Sequence, residues 1–174
     1  DTAATQGYVT ESGEVRGGVV VGWLTDVFKR EKQGNKDTAE EELVVGRVVR
    51  TRLVALACGS RVKVVGVYAP GRNGSVGTKA AEAGRDGGKQ AEIKKREQQI
   101  VQGVWDAVET EATGDDTVMI AGDLNAELRP ALERAGKEAT EQDARLQSTV
   151  TSKGLYAIAA GVPTWRDRTE VDHV

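Results

Sequence analysis

A carboxylate and a carboxamide stand two residues apart in this chain, at Asp123 and Asn125. They follow Val118 to Ala121, which has the length and composition of a short buried strand. Gly122 permits a sharp turn of the backbone where that strand ends. Because alternate positions of extended backbone point to the same side, the two side chains are expected to lie together. One group can then hold a water molecule while the other contacts a phosphate oxygen.

Two other segments carry polar or aromatic residues at the end of a predicted strand. Arg61 to Ala69 alternates, is rich in β-branched residues and stops at Pro70, which predicts a strand ending in Tyr68-Ala69-Pro70. Near the C-terminus, Pro163-Thr164-Trp165-Arg166 precedes the segment Thr169 to Val174. Along the chain the strand that ends at Tyr68 comes first, the Gly-Asp-Leu-Asn sequence follows, and the C-terminal segment comes last.

These segments resemble motifs of the endonuclease/exonuclease/phosphatase superfamily, which has the DNase I-like fold. In that family a strand ends in Tyr-x-Pro, the central motif is Gly-Asp-Phe-Asn, and a late strand reads Ser-x-Ile-Asp-Tyr/His-Ile. Arg16 to Val21, and Gly154-Leu155 before Pro163-Thr164-Trp165, are similar to the nuclease domains of retrotransposon-type endonuclease–reverse transcriptases. The resemblance covers nearly the whole chain, from about Arg16 to Val174.

The resemblance implies roles for four residues in phosphodiester hydrolysis, a reaction that needs an attacking water, a bound cation and stabilisation of negative charge. Asp123 resembles the aspartate that orients or deprotonates the water, and Asn125 resembles the carboxamide that places water and phosphate. Tyr68 resembles the tyrosine whose hydroxyl contacts the phosphate. Asp172 resembles the carboxylate that orients a catalytic histidine. The implied cofactor is Mg²⁺ or Mn²⁺, and the implied substrate is DNA.

Each of the four residues also has a structural interpretation. Asp123 and Asn125 could stabilise a turn, as Asp and Asn often do. Tyr68 could be an amphipathic residue at the end of a strand, and Asp172 a surface residue on an edge strand. The single histidine, His173, follows Asp172, and alternation along a strand would turn it to the opposite side. In the family the catalytic histidine belongs to a separate Ser-Asp-His motif, which this chain does not contain.

The metal ligands are unknown at this stage. The family's metal-binding Glu is preceded by Gln and lies before the Arg-Gly-Gly-Val strand, but Glu11 and Glu14 are too near Arg16 to match it. Asp123 and Asn125 are the residues nearest the expected metal. The chain opens on Asp rather than Met and stops within an expected strand, so we expect a fragment that lacks both ends of the domain and is itself an incomplete enzyme.

Length and composition limit the alternatives. The chain has 174 residues, which indicates one partial domain over 1–174, with a flexible Gly-rich insertion at about 71–90. A net charge of −3 counts mildly against tight DNA binding, which needs Lys and Arg at the phosphates. The one cysteine, Cys58, is expected to be a small buried residue, and it favours an intracellular location, nuclear or cytoplasmic. No signal peptide and no membrane span is recognisable, so we expect no membrane partner.

The pattern of apolar residues predicts an α/β fold with local antiparallel pairing. The family resemblance adds two β-sheets packed face to face with helices on the outer faces, a four-layer sandwich that would be truncated here.

Trp105 is expected in the core, and Lys94-Lys95-Arg96 on a solvated helix face. The expected elements are a strand at 18–24, a loop or short helix at 29–42, an antiparallel hairpin of 43–57 with 61–69, and helices at 91–112 and 140–153, the second with Ala144, Leu146 and Val150 partly buried.

The sequence therefore predicts a divalent-metal-dependent phosphodiesterase, most similar to a retroelement-type DNA endonuclease that is linked to a reverse transcriptase. Two alternatives remain at this stage. The chain could be a catalytically inactive remnant or binding module of the same fold. It could also be a phosphatase or phospholipid phosphodiesterase of the same superfamily.

Overall fold

A computed structural model describes residues 1–5, 8–9, 15–31, 40–71, 87–114, 116–128, 133, 136 and 138–158. In chain order the elements are β1 (Thr2–Ala4), β2 (Tyr8–Val9), β3 (Val15–Arg16), β4 (Val20–Gly22), β5 (Phe28–Arg30), β6 (Glu40–Val44), β7 (Val48–Ala55), β8 (Arg61–Tyr68), α1 (Gly87–Glu111), β9 (Thr117–Asp123) and α2 (Glu141–Lys153).

The main sheet has five strands, and β7 and β8 form its centre. They pair antiparallel, as the alternation of β-branched residues predicts, and the chain turns between them at 56–60. β5 and β6 pair with different halves of the other edge of β7. β9 pairs parallel with β8, from Val62 opposite Thr117 to Tyr68 opposite Asp123. This parallel pair needs a long crossover connection, and α1 forms part of it.

α1 covers one face of the main sheet and forms the core with it. Trp105 is fully buried, as the helical spacing predicts, and packs in one cluster with Val65 and Val67 of β8. Leu146 of α2 belongs to the same cluster, so both helices lie on this side of the sheet. The other buried members of the cluster are Val48, Ala69, Val104, Val108, Leu124 and Ala126.

A smaller sheet of β1 and β4 packs against the opposite face of the main sheet. A glycine on β8 makes the close approach possible, because a Cβ at Gly66 would lie 2.7 Å from both the Val19 and the Val21 side chains. Real Cβ atoms do not come this close to a neighbour. The predicted fold class is therefore confirmed: a mixed α/β fold in which the β1–β4 sheet packs face to face with the main sheet, with helices on the outer face of the main sheet. β2 and β3 pair with each other in a separate two-stranded sheet.

α2 begins and ends where the sequence predicts. Thr140 is its N-cap and forms a reciprocal capping box with Asp143, and Gly154 ends the helix with a φ of 64°. Leu146 is buried and Val150 half-buried, but Ala144 is exposed, so that part of the prediction is wrong. The Asp143 carboxylate also accepts a hydrogen bond from the Glu127 backbone N–H at 2.6 Å. This bond joins α2 to the segment that follows β9.

Two local predictions are wrong. The segment 29–42 is not a loop or short helix where it is described, because 29–30 belong to β5 and 40–42 to β6. Pairing with β7 satisfies the backbone of these short polar strands, and tertiary pairing overrides their weak intrinsic preference. Cys58 is exposed rather than buried, because it lies in the turn between β7 and β8. Its Sγ hydrogen-bonds to Ser60 Oγ at 3.1 Å, and this bond lowers the pKa of the thiol.

Other predictions fall partly or wholly outside the described residues. Of the Gly-rich segment at 71–90, residues 72–86 lie outside, while 87–90 form the first turn of α1. Asp172, His173 and the Pro163-Thr164-Trp165 motif also lie outside. Lys95 and Arg96 are exposed on α1, as predicted. Within the described residues, no helix combines the length and the apolar character needed to cross a membrane.

Candidate functional site

The parallel pairing of β8 and β9 brings two of the predicted site residues together. Tyr68 and Asp123 are register partners at the last position of the ladder. Register partners in a sheet project from the same face, here the face that also carries Gly66 and the smaller sheet. The Ala69 N–H donates to the Asp123 carbonyl at 2.7 Å and extends the pairing by one bond. In α/β sheets, ligands bind outside the carboxyl ends of the strands, and both residues lie at such ends.

Gly122 holds β9 against β8 immediately before Asp123. Its φ is 134°, and a Cβ at this position would overlap the carbonyl group of Val67. The backbone therefore requires glycine both for its conformation and for the contact. The sequence predicts that the strand ends at Gly122. In the structure the strand continues through Asp123.

Asp123 and Asn125 lie close together because of a turn, and not because of alternation along extended backbone as the sequence suggested. Asn125 has a φ of 47°, so the backbone is left-handed here rather than extended. Its N–H donates to Asp123 Oδ1 at 3.0 Å, and its side-chain Nδ2 donates to the Ala69 carbonyl at 2.8 Å. Asn is among the few residues that adopt this conformation readily. The two side chains therefore build a tight turn that fixes the end of β9 to the residue after Tyr68.

Arg47 contacts Tyr68, and the sequence gave no reason to select it. The carbon of its guanidinium lies 4.8 Å from the centroid of the Tyr68 ring, and Nη1 lies 3.4 Å from the Tyr68 carbonyl oxygen. Arg47 is only 5% exposed, whereas Tyr68 is 38% exposed. A buried cation thus lies against one face of an accessible ring. The one available signal was Gly46-Arg47, which interrupts a run of β-branched residues.

The turn that carries Arg47 is held by bonds from three directions. The Gly46 N–H donates to Glu42 Oε1 at 2.7 Å, and the Gly46 carbonyl accepts from the Gly18 N–H at 2.9 Å. The Tyr68 N–H donates to the Arg47 carbonyl at 2.8 Å. Gly46 has a φ of 65°, which allows the turn between β6 and β7. The Arg-Gly-Gly segment noted in the sequence therefore reaches the same end of the main sheet as Tyr68 and Asp123.

The described residues supply part of a metal-binding site. Mg²⁺ is often held by one or two carboxylates together with substrate phosphates and water. Asp123 provides one carboxylate at this end of the sheet, and no cluster of three or more His, Cys, Asp or Glu side chains that could hold a metal occurs in the described ranges. Glu11, Glu14, Asp172 and His173 lie outside those ranges. The roles assigned to the four site residues stay predictions.

No protein family and no curated protein matches the chain. Among solved structures, the chain is similar to the endonuclease domain of TRAS1, a telomere-specific non-LTR retrotransposon, with 19% sequence identity and a TM-score of 0.46. The similarity covers 99% of this chain and 65% of that structure, so the chain spans less than two thirds of the length of the domain it matches. A likeness at this level concerns the path of the chain and assigns no residue role.

Proposed function

We propose that this chain carries part of the site for divalent-metal-dependent hydrolysis of DNA phosphodiesters, as a retroelement-type endonuclease. The observation that carries the proposal is the pairing of Tyr68 with Asp123 at the carboxyl ends of adjacent parallel strands. A phenol that can donate to a phosphate oxygen then projects beside a carboxylate that can hold water. Phosphodiester hydrolysis requires both an activated water and stabilisation of the negative charge on the phosphate oxygens.

In this proposal Asp123 places the attacking water and accepts its proton. The bond from the Asn125 N–H to Asp123 Oδ1 restrains the rotation of the carboxylate, which favours a fixed position for the water. Tyr68 binds a non-bridging phosphate oxygen through its hydroxyl. The side chain of Asn125 holds the turn through the Ala69 carbonyl and contributes by keeping Asp123 in place. Asp172 would orient a catalytic histidine.

The proposed cofactor is Mg²⁺ or Mn²⁺, and Asp123 is the described carboxylate nearest to where the ion is expected. The ion would neutralise charge on the phosphate and stabilise the leaving oxygen. We also propose a link to a reverse transcriptase domain and a nuclear or cytoplasmic location, in keeping with a DNA substrate.

Nicking of supercoiled plasmid tests the proposal. We expect slow conversion to open circles with Mg²⁺ or Mn²⁺, none with a chelator, and loss of at least about 100-fold in Asp123→Asn, since a general base typically contributes 10²- to 10⁴-fold. Asp116→Asn is the matched control, because Asp116 lies just before the opposite end of β9, 3.9 Å from Arg52. The control should nick at the wild-type rate. Nicking that survives Asp123→Asn, or that needs no metal, would refute the proposed site.

A second candidate function is a non-catalytic module that retains this fold. The observation in its favour is that Asp123 and Asn125 both serve the turn, through the bonds from Asn125 to Asp123 Oδ1 and to the Ala69 carbonyl. Such a module would bind duplex DNA without cutting it. Binding of a labelled duplex by wild-type protein, with no metal-dependent nicking above the level of Asp123→Asn, would select this candidate over the enzyme.

A further inference from the structure

We propose that Arg47 is a positioning residue for Tyr68, which sets the ring so that its hydroxyl meets the phosphate. The inference deepens the proposed hydrolytic function and rests on it for the identity of the ligand. Arg47 contacts Tyr68 with both its side chain and its backbone, at the ring, the carbonyl and the N–H of Tyr68.

The burial of Arg47 indicates that its charge serves a purpose at this position. The residue is 5% exposed, and a charged side chain taken out of water loses hydration that an apolar residue of similar size would not lose. Contact with an aromatic face returns about 0.5–2 kcal/mol, and the hydrogen bond to the Tyr68 carbonyl returns a further part. An apolar side chain would fill the same space with less loss of hydration. A guanidinium adds a planar surface that can lie against the ring and a positive charge at the carboxyl ends of β8 and β9.

The planar group and the charge of Arg47 both lie next to Tyr68. With the guanidinium carbon 4.8 Å from the ring centroid, one face of the ring is covered. Nη1 reaches the Tyr68 carbonyl at 3.4 Å, and the Arg47 carbonyl accepts the Tyr68 N–H at 2.8 Å. The ring itself is 38% exposed, so without this support it would be free to change rotamer. Arg47 limits that freedom from the buried side, while the other side stays open to a ligand.

The turn at 45–47, which carries Arg47, is itself held in place by hydrogen bonds to other parts of the chain. A guanidinium can hold a ring in place only if its own backbone is fixed. The turn is fixed by the bonds from Gly46 to Glu42 and from Gly18 to Gly46. Arg47 thereby connects the segment around Gly18, the turn between β6 and β7, and the end of β8. The site residue Tyr68 is supported by three separate parts of the chain.

A double-mutant cycle on the nicking rate tests whether Arg47 acts through Tyr68. The variants are Arg47→Lys, which keeps the charge and loses the planar group, Tyr68→Phe, which loses the hydroxyl, and the double variant. We expect Arg47→Lys to lower kcat about 10-fold with KM changed less than about twofold, since small misplacements can cost up to about 100-fold. In the Tyr68→Phe background the same change should lower kcat less than about twofold. Equal effects in the two backgrounds would overturn the proposal, because they would show that Arg47 acts independently of the Tyr68 hydroxyl.

A spectroscopic measurement separates this inference from the proposed function. The chain has three tyrosines, so protein labelled with 3-fluorotyrosine should give three ¹⁹F resonances, and Tyr68→Phe identifies one of them. Arg47→Lys should shift or broaden that resonance and leave the other two unchanged. Arg52→Lys, on β7 where Arg52 lies beside Asp116, is the matched control and should leave all three unchanged.

The two experiments together distinguish the outcomes. If the wild-type protein does not nick DNA but the Tyr68 resonance responds to Arg47→Lys and not to Arg52→Lys, the proposed hydrolysis fails while the support of Tyr68 by Arg47 stands. If the Tyr68 resonance is the same in wild type and Arg47→Lys, Arg47 does not position the ring, whatever the nicking rates are. Thermal melting of every variant identifies rate losses that come from unfolding.

Discussion

At the scale of single residues, the candidate site depends on backbone conformations that few side chains tolerate. Gly122 and Asn125 flank Asp123, and both have positive φ values, of 134° and 47°. The first lets β9 approach β8, and the second lets the chain turn so that an amide reaches the Ala69 carbonyl. Two residues with uncommon backbone conformations, Gly122 and Asn125, thus set the position of Asp123. The site is defined more by where the backbone places Asp123 than by the side chain alone.

A substitution at Gly122 should therefore destabilise the protein strongly. We expect Gly122→Ala to lower the free energy of unfolding by about 3 kcal/mol or more, because the new Cβ would overlap the Val67 carbonyl and the backbone conformation would be strained. Urea denaturation followed by circular dichroism measures the change. Gly103→Ala on α1 is the matched control: a Cβ there meets open space, so a gain of up to about 1 kcal/mol is expected. Equal stability of Gly122→Ala and wild type would show that this contact is not present in solution.

At the scale of elements, an ion cluster fixes the register that brings Tyr68 and Asp123 together. Glu111, at the end of α1, accepts from Arg50 at 2.9 Å and lies 3.3 Å from Lys63 Nζ. Lys63 Nζ also donates to the Thr113 carbonyl at 2.7 Å. Lys63 is on β8, and Thr113 belongs to the connection into β9. The cluster therefore sets where β9 begins relative to β8, and the parallel ladder carries that register to its other end.

Removing the charge at the centre of this cluster should be costly. Glu111→Gln removes the carboxylate charge that pairs with Arg50 and Lys63, and breaking a buried pair costs about 3–5 kcal/mol. The bond from Lys63 to Thr113 offsets part of this, so we expect a loss near the lower value, of about 3 kcal/mol. The control is Asp106→Asn, whose 55% exposed side chain pairs with Arg145, and which should cost less than about 1 kcal/mol. Chemical denaturation compares the two, and similar losses for both would contradict the ranking.

At the scale of the whole molecule, β9 forms one edge of the main sheet, opposite the edge formed by β5 and β6. Within the described residues β9 pairs with β8 alone, and Met119 on β9 is 44% exposed. An open strand edge next to exposed apolar side chains favours association between chains. The same strand ends in Asp123, so association through β9 would also affect access to the candidate site.

We therefore expect the 174-residue chain to associate as its concentration rises, and we expect Met119→Lys to reduce the association. A charge at an edge strand disfavours pairing with a second chain. Multi-angle light scattering over a range of concentrations measures the effect. Val20→Lys, on the smaller sheet, is the control for added charge, since Val20 is also exposed but lies on a different edge. A monomer at all concentrations, or an equal effect of the two variants, would contradict a role for β9.

Much of the fold could be predicted because its signals are local. The hairpin predicted for 43–57 with 61–69 is the antiparallel pair β7 and β8, although 43–44 belong to β6, and Trp105 of α1 is buried as predicted. The helix predicted at 140–153 is α2, and residues next to its ends cap it locally. The short strands β5 and β6 were not predicted, since their formation depends on the neighbouring edge of β7 and not on their own sequence.

The sequence by itself determined which residues lie near the ends of β8 and β9, because residue order and strand periodicity follow directly from the chain, although β9 ends one residue later than expected. Only the tertiary structure decided that Tyr68 lies opposite Asp123, since the register of a parallel pair depends on a crossover and on contacts far apart in sequence, such as those of Glu111. It also decided that Arg47 lies under the Tyr68 ring. A turn between two other strands delivers that arginine, and no local pattern around either residue contains this information.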